Sequence, residues 1–337
     1  MAMRPLTFGV LVSAPSARLT PITADPEDEG TVDETIEGLM DLRSGSDLAT
    51  ALREQGFGAT PIAVDDDLDL ALRQADVDAC LLALHGRAGG TGDVQSLLTM
   101  RGLPYAGPAS GAVSLAFDKT RSRQVLAYHN LPTPASLALG PKNKASDKAL
   151  ELLGWPCVVK PRRGALGLGV APLIDPEQVG DAIGRALDVD DEVVLERAMS
   201  GTEVQVVVMG DRVLGAMEVH RRPIPGLLGG KEDVDADYIC PPQMSRGQID
   251  GLHNLARRAV SALGLSDGVS RVDIMVGDRY NEVILEVEPL PPLHRDGVVA
   301  RVSRAAGISY PELVGHLVSR VLPRVERRRA SAPAFLQ

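Results

Sequence analysis

"LHGRAGGTGDVQSLLTMRGLPYAG", residues 84–107, carries six glycines and one histidine directly behind the apolar run 79–84. A strand that runs into a glycine-rich turn often binds phosphate, because glycine lets backbone N–H groups approach the oxygens. This stretch has no Gly-x-x-x-x-Gly-Lys and no clean Gly-x-Gly-x-x-Gly, so its glycines alone do not establish a phosphate site. It also holds a single acid, Asp93. What His85 faces, and why acids are scarce around it, are the questions this turn raises.

The chain around it has 337 residues, more than one hydrophobic core usually serves, so two or three subdomains are expected. Hydrophobic residues make up 44% and charged residues 24%, an ordinary composition for a globular protein in water. Aromatics are only 3%, which argues against base-stacking surfaces. A net charge of -10 repels a phosphate backbone, so no nucleic-acid partner is expected. An ATP or phosphate site must then be a local cluster of Lys and Arg. Cys80, Cys157 and Cys240 have no paired spacing and read as free, buried thiols in a reducing cytosol rather than a disulfide frame or zinc site. The apolar stretch 8–12 is too short for a signal peptide and fits a first buried strand better. No apolar run approaches the ~20 residues of a membrane helix. A cytoplasmic protein with no membrane partner is the expectation.

Strand-like runs recur at 7–12, 59–64, 79–84, 157–160, 193–196, 203–209, 213–219, 269–276 and 283–287. Helical patterns lie at 36–55, 119–129, 176–187, 248–263 and 311–322. Strand and helix alternate in the first third, which predicts a parallel sheet. From 193 to 219 the strands follow one another directly, as in an antiparallel meander. Residues 14–33, with three prolines and an acidic cluster, read as an exposed loop. Residues 222–242, with four prolines and a charged centre, read as a second long loop, the usual form of a lid. The arginine-rich end reads as a solvated tail rather than a binding arm.

Chemistry concentrates in a few places. Asp273 lies in one apolar strand; Glu286 and Glu288 lie in the next, two apart and therefore on one face. A hairpin through 277–281 would bring Asp273 beside them. Carboxylates in apolar strands are costly unless they are paired or bind metal. Oxygen ligands of this kind suit Mg²⁺ carrying a nucleotide's phosphates; salt bridges to Arg271 and Arg279 are the alternative. Lys119 follows Asp118 at a helix start, and Lys160 ends a strand directly before the glycine-rich Pro161–Gly169 loop. Both are placed to clamp phosphates. Glu196 and Glu203 bracket "RAMSGT" behind an apolar strand, where they could accept hydrogen bonds from an adenine amino group and a ribose hydroxyl, or simply be surface charges.

In this order the residues resemble the ATP-grasp superfamily, and most of all the D-alanine–D-alanine ligase family, from about residue 33 to 323. The resemblance rests on His85-Gly86, Gln95-Ser96, Leu103-Pro104-Tyr105-Ala106-Gly107, Asp118-Lys119, Lys160-Pro161, Tyr238-Ile239-Cys240-Pro241, Arg271-Val272-Asp273 and Glu286-Val287-Glu288. It implies a mixed α/β and α+β fold: an N-terminal parallel-sheet domain (1–115), a small central α+β ATP-grasp subdomain (116–210), a C-terminal α+β domain (211–325) and a flexible tail (326–337). It implies an ATP-dependent ligase that forms a C–N peptide bond through an acyl phosphate, with ATP and two Mg²⁺ ions. By motif, Lys119 and Lys160 would hold phosphates, Glu196 and Glu203 the adenosine, and Asp273, Glu286 and Glu288 the metal. Lys231 falls near the family's lid tyrosine. Arg271 would steady the oxyanion, and Glu37 matches the acid that grips the first substrate's ammonium. His85 becomes a candidate contact to that substrate, against a capping or core-edge histidine. The partners implied are small amino acids or related carboxylates, with a possible homodimer.

The departures from the family fall in the site. Its glycine loop carries Glu-Gly-Ser-Ser, where this chain has Gly164-Ala165-Leu166-Gly167; the 223–237 segment has no aromatic. The Asn of Glu-x-Asn is Glu288. The glycine whose N–H would help hold the oxyanion is the second residue of Pro291-Pro292, and proline has no N–H. Where the family has Gly-Glu-Asp-Gly, this chain has Gly89-Gly90-Thr91-Gly92, two carboxylates fewer. Two readings result: a ligase with a rebuilt substrate pocket, or a catalytically impaired homologue acting as a nucleotide-binding or regulatory protein.

Overall fold

The structure, a computed structural model, describes residues 5–13, 29–65, 67–140, 146–165, 167–221, 236–277 and 282–331. In chain order come β1 (Thr7–Ser13), α1 (Glu29–Glu54), β2 (Gly58–Val64), α2 (Leu68–Gln74), β3 (Ala79–Ala83), α3 (Gly86–Gly90), α4 (Asp93–Met100), β4 (Tyr105–Ala106) and α5 (Ser110–Phe117). Next are α6 (Lys119–Tyr128), β5 (Ser136–Leu139), α7 (Asp147–Leu153), β6 (Cys157–Pro161), β7 (Ala171–Leu173), α8 (Val179–Leu187), β8 (Val193–Arg197), β9 (Thr202–Met209) and β10 (Arg212–Arg221). The chain continues with β11 (Ala236–Ile239), α9 (Arg246–Ala262), β12 (Val269–Val276), β13 (Glu282–Glu288), α10 (Val298–Ala305) and α11 (Tyr310–Ser331). They divide into two compact units. One is Met1–Val113, Leu265–Val269 and Leu290–Gln337; the other is Ser114–Gly264 and Ser270–Pro289.

The first unit is built on a sheet of order β2-β1-β3-β4 whose pairings are all parallel, as the alternation of strand and helix predicts. Every residue of β3 is buried, the continuous apolar strand a parallel sheet requires. Leu11, Ile62, Cys80, Leu82, Leu98 and Tyr105 share one core. α1 lies close on β1: a Cβ at Gly45 would stand 2.3 Å from Val12 Cγ1, so only glycine permits the approach. The turn after β3 folds as α3 and α4 joined at Gly92, which has φ +87° and backbone against the Ser110 carbonyl. α11 runs through Ser331, into the segment expected as tail. There Arg329 holds the buried Asp78 at 2.7 Å, and Arg328 donates to the Asp78 carbonyl at 3.2 Å. Burial pushes the Cys80 thiol up to about 12, so it is inert in β3.

The second unit holds two sheets. One, of order β5-β8-β6-β7 with antiparallel pairings, packs Cys157, Val159, Leu195 and Leu173 beneath Val179, Ala182 and Ala186 of α8. The other has order β11-β10-β9-β12-β13, against which α9 packs, with Leu252, Ala256 and Ala259 buried. A capping box formed by Ser245 and Gln248 starts α9.

The expected meander is half correct. β9 and β10 pair antiparallel, but β8 joins the other sheet, between β5 and β6. The link passes through Gly201, φ +144°, where a Cβ would lie 2.0 Å from the Val276 carbonyl oxygen. Part of the long second loop is strand: 236–239 pairs with the end of β10, while 222–235 lies outside the described residues. α1 begins at Glu29, inside the segment read as loop; 14–28 lies outside the described residues. The apolar pattern leaves out four strands: β5, β7 and β11 are short sheet edges with mixed burial, which carry little periodic signal, and β4 is a buried two-residue edge too short to show a pattern.

Candidate active site

The second unit gathers the cations and acids that the sequence singles out. Asp118 caps α6, accepting from the N–H groups of Thr120 and Arg121 at 3.1 and 3.0 Å. It also takes a two-pronged contact from Arg162 just beyond β6, at 2.8 and 2.6 Å. That pair fastens the start of α6 to the end of β6, and Lys119 N–H donates to the Arg162 carbonyl at 3.0 Å. Buried Lys119 then reaches in two directions: its Nζ donates to the Gly164 carbonyl at 2.7 Å and to Glu286 Oε1 at 3.0 Å. The expected phosphate-binding lysine is thus tied both to the glycine loop and to β13.

Lys160, at the end of β6, donates to Glu196 Oε2 at 3.1 Å. Glu196 is only 2% exposed, and its other oxygen accepts from Arg123. Arg123 also donates to the Lys119 carbonyl at 3.1 Å and to the Leu285 carbonyl at 3.3 Å. Leu285 is the extra residue of a bulge, since Asp273 pairs with Glu286 while Ile274 pairs with Ile284. One guanidinium therefore joins α6, β8 and β13. Glu196, expected to meet adenosine, here serves as counter-ion to Lys160 and Arg123. Glu203, on β9, accepts from Gln205 Nε2 at 3.3 Å.

The β12–β13 hairpin forms as expected. Arg271 opposes Glu288 and Asp273 opposes Glu286, so all four side chains share one sheet face. Arg271 grips Asp273 with Nε and NH2 at 2.7 and 2.9 Å, the salt bridge that stood as the alternative to metal. Among the described residues no three His, Cys, Asp or Glu groups converge as a metal site. Burial opposes ionisation of Glu286, but Lys119, then Lys160 and Arg271, outweigh it and hold its carboxyl down at about 2. It is a firm anion at neutral pH.

In the first unit, His85 stands at the N-cap position of α3 without a side-chain capping bond and is 6% exposed; its Nδ1 bonds to Asp41 of α1. Asp41 is fully buried, and its second oxygen accepts from Ser13 N–H at 3.3 Å and from the Ser13 hydroxyl. Glu37, the residue expected to grip substrate, lies on α1 with its side chain outside the described residues, and Lys231 lies outside them altogether. Sequence reasoning overlooked Arg123 and Asp41. Arg123 stands four residues after Lys119, on the same helix face, and that spacing could have marked it. Nothing in the sequence links Asp41 to His85.

The geometry is matched by likeness to known proteins. Residues 127–319 fit the model of the D-ala D-ala ligase C-terminus. The D-alanine–D-alanine ligase of Geobacter sulfurreducens is 31% identical over 288 residues, covering 84% of this chain and 90% of that protein. That of an Anaeromyxobacter species is 34% identical over 278 residues, covering 81% and 89%. Among solved structures, the D-alanine–D-alanine ligase from Bacillus anthracis complexed with ATP superposes with a TM-score of 0.79 at 24% identity, over 96% of this chain and 99% of that one. Two lysines on neighbouring elements, an arginine–carboxylate strand pair and these likenesses give one conclusion: the chain belongs to the D-alanine–D-alanine ligase family.

Proposed function

We propose that the protein is an ATP- and Mg²⁺-dependent carboxylate–amine ligase acting on small amino acids or related carboxylates through an acyl phosphate. The observation that carries this reading is the pairing of Lys119 with Glu286 and of Lys160 with Glu196 in one connected network. Phosphoryl transfer needs little covalent help from a protein; it needs cations held in place around the moving phosphoryl group. Lys119 and Lys160 supply these, and Arg123 holds the elements that carry them.

The chemistry of the donors on the β12–β13 face suits Mg²⁺, since Asp273, Glu286 and Glu288 are hard oxygen donors and Glu286 is anionic at working pH, although among the described residues the three do not converge. When bound there, Mg²⁺ would neutralise charge on the phosphates. Taking it up requires Glu286 to share its carboxylate with Lys119, and Asp273 to share its own with Arg271. Arg271, buried on the same face, is the group we assign to the oxyanion of the tetrahedral intermediate. By motif order, the family's second oxyanion donor corresponds to Pro292, which has no N–H to give. Losing one such donor typically costs on the order of a hundredfold in rate.

Pro292 and the absence of hydroxyls from Gly164-Ala165-Leu166-Gly167 favour a second reading, a nucleotide-binding protein without ligation. A screen of ADP release from Mg-ATP over D- and L-amino acids and hydroxy acids separates the two. Release with an amino acid supports the ligase. Binding of Mg-ATP by calorimetry without release from any acid supports the nucleotide-binding protein, and no binding at all overturns both.

A further inference from the structure

We propose that the second unit carries a further small-molecule site, separate from its lysine–carboxylate network, that takes a zwitterionic amino-carboxylate in the form of a short peptide.

The site is a cavity of about 450 Å³ bounded by the C-terminal turns of α9, the turn that ends α6 and the β9–β10 turn. A volume of this size lies in the range of pockets that bind small organic ligands. None of Lys119, Lys160, Glu196, Asp273 or Glu286 lines it. Arg257, Arg258 and Ser261 do, and their spacing places them on one face of α9, opposite the buried Leu252, Ala256 and Ala259. His129 and the buried Leu131 join them where the chain turns at Asn130, which has φ +52°. Asp211 enters from the β9–β10 turn, directly after Gly210 with φ +63°.

The charges here differ from those of the lysine–carboxylate network in their partners. In that network and beside it, Arg123, Arg162, Arg163 and Arg271 each hold a carboxylate. Among the described residues, Arg257 and Arg258 form no ion pair with a carboxylate, and Asp211 forms none with a cation. The two guanidinium groups are oriented all the same. Arg258 donates to the His129 carbonyl at 3.1 Å, and Arg257 donates to Asn254 Oδ1 at 3.2 Å. A guanidinium has five N–H donors, so each keeps several for a ligand. The His129 ring is steadied by the Tyr128 ring, edge-on at 5.3 Å between centroids.

Two guanidinium forks on one helix face suit a carboxylate, which arginine binds through paired hydrogen bonds. A bare anion is a poorer match, because Asp211 would repel it. The same Asp211 gives an ammonium group its counter-ion, and Leu131 offers apolar contact to a short side chain. A ligand that answers all three features carries both charges and a small apolar body. Free amino acids and short peptides have that chemistry, and the size of the cavity favours the peptide.

The test is nuclear magnetic resonance of the full chain labelled with ¹⁵N-histidine, titrated with the dipeptide alanyl-alanine. The His129 signals are assigned by their loss in His129→Gln. The dipeptide should shift them saturably, with a Kd on the order of 1 mM. N-acetyl-alanyl-alanine lacks the ammonium and alanyl-alaninamide lacks the carboxylate; each should bind about tenfold more weakly. Arg258→Ala and Asp211→Asn should each weaken the dipeptide about tenfold, while the Kd for Mg-ATP by calorimetry stays within about twofold. Both side chains are exposed, so neither substitution disturbs the core.

Absence of a saturable shift, or equal affinity for the dipeptide and its singly charged analogues, would overturn the proposal. A dipeptide affinity unmoved by both substitutions would do the same, since His129 would then be reporting binding elsewhere. An equal response to inorganic phosphate would reduce the cavity to a plain anion patch and overturn the peptide assignment. None of these outcomes depends on whether any acid gives ADP release, so the site and the ligase reading stand or fall separately.

Discussion

Lys119 and Glu286 illustrate how a single contact controls charge. The 3.0 Å pair keeps Glu286 ionised, with a folded-state value of about 2 against an ordinary 4.5. A depressed carboxylate stabilises the fold fully above its unfolded value and loses that contribution as pH falls toward the folded one. Stability should therefore drop between about pH 5 and pH 2, and Glu286→Gln should flatten that part of the curve in urea unfolding with chelator present. At Lys160 the expected effect is on ligand affinity. Lys160→Ala removes one of the proposed phosphate clamps and leaves the buried Glu196 to Arg123. A charged hydrogen bond is worth about 1.5–3 kcal/mol, so affinity for Mg-ATP should fall roughly ten- to a hundredfold by calorimetry. Unchanged affinity would remove Lys160 from the site.

Among the elements, α6 depends most on the residue that caps it. Asp118→Ala removes a cap worth about 1 kcal/mol and leaves Arg162 with Glu192 as its carboxylate partner, so the melting temperature should fall by several degrees and the start of α6 should loosen from the end of β6. The turn after β3 is sensitive at Gly92, because alanine there would need φ +87° and would meet the Ser110 carbonyl at 2.6 Å. Gly92→Ala should cost at least about 1–2 kcal/mol in unfolding free energy.

These same elements show what the sequence can disclose. Buried strands such as β3 and β12 announce themselves as apolar runs, and β12 has the bounds its pattern predicts. Edge strands β5, β7 and β11 bury too little to leave a pattern. Within the site, Lys119, Lys160, Arg271 and the β13 acids are legible because each sits at the end of an apolar run or in a recognisable order. Their partners are not. That Glu196 joins Lys160 and Arg123, or that Asp41 reaches His85, depends on strand order and helix placement, which no local spacing encodes.

Across the whole chain, a net charge of -10 is compatible with the proposed phosphate site because Lys119, Arg123, Lys160, Arg162 and Arg271 all lie in the second unit. The first unit, for its part, is tied off by its C-terminal helix. Arg329→Ala leaves the buried Asp78 with fewer donors and should lower unfolding free energy by about 1–2 kcal/mol without changing the affinity of the second unit for nucleotide. The most direct test of ligation follows oxygen. The acid most active in the ADP-release screen is supplied with ¹⁸O in its carboxylate, and the released phosphate is weighed by mass spectrometry. Acyl phosphate formation moves one labelled oxygen into phosphate, so phosphate heavier by one ¹⁸O is the expected result. Unlabelled phosphate from a turning-over enzyme would contradict it.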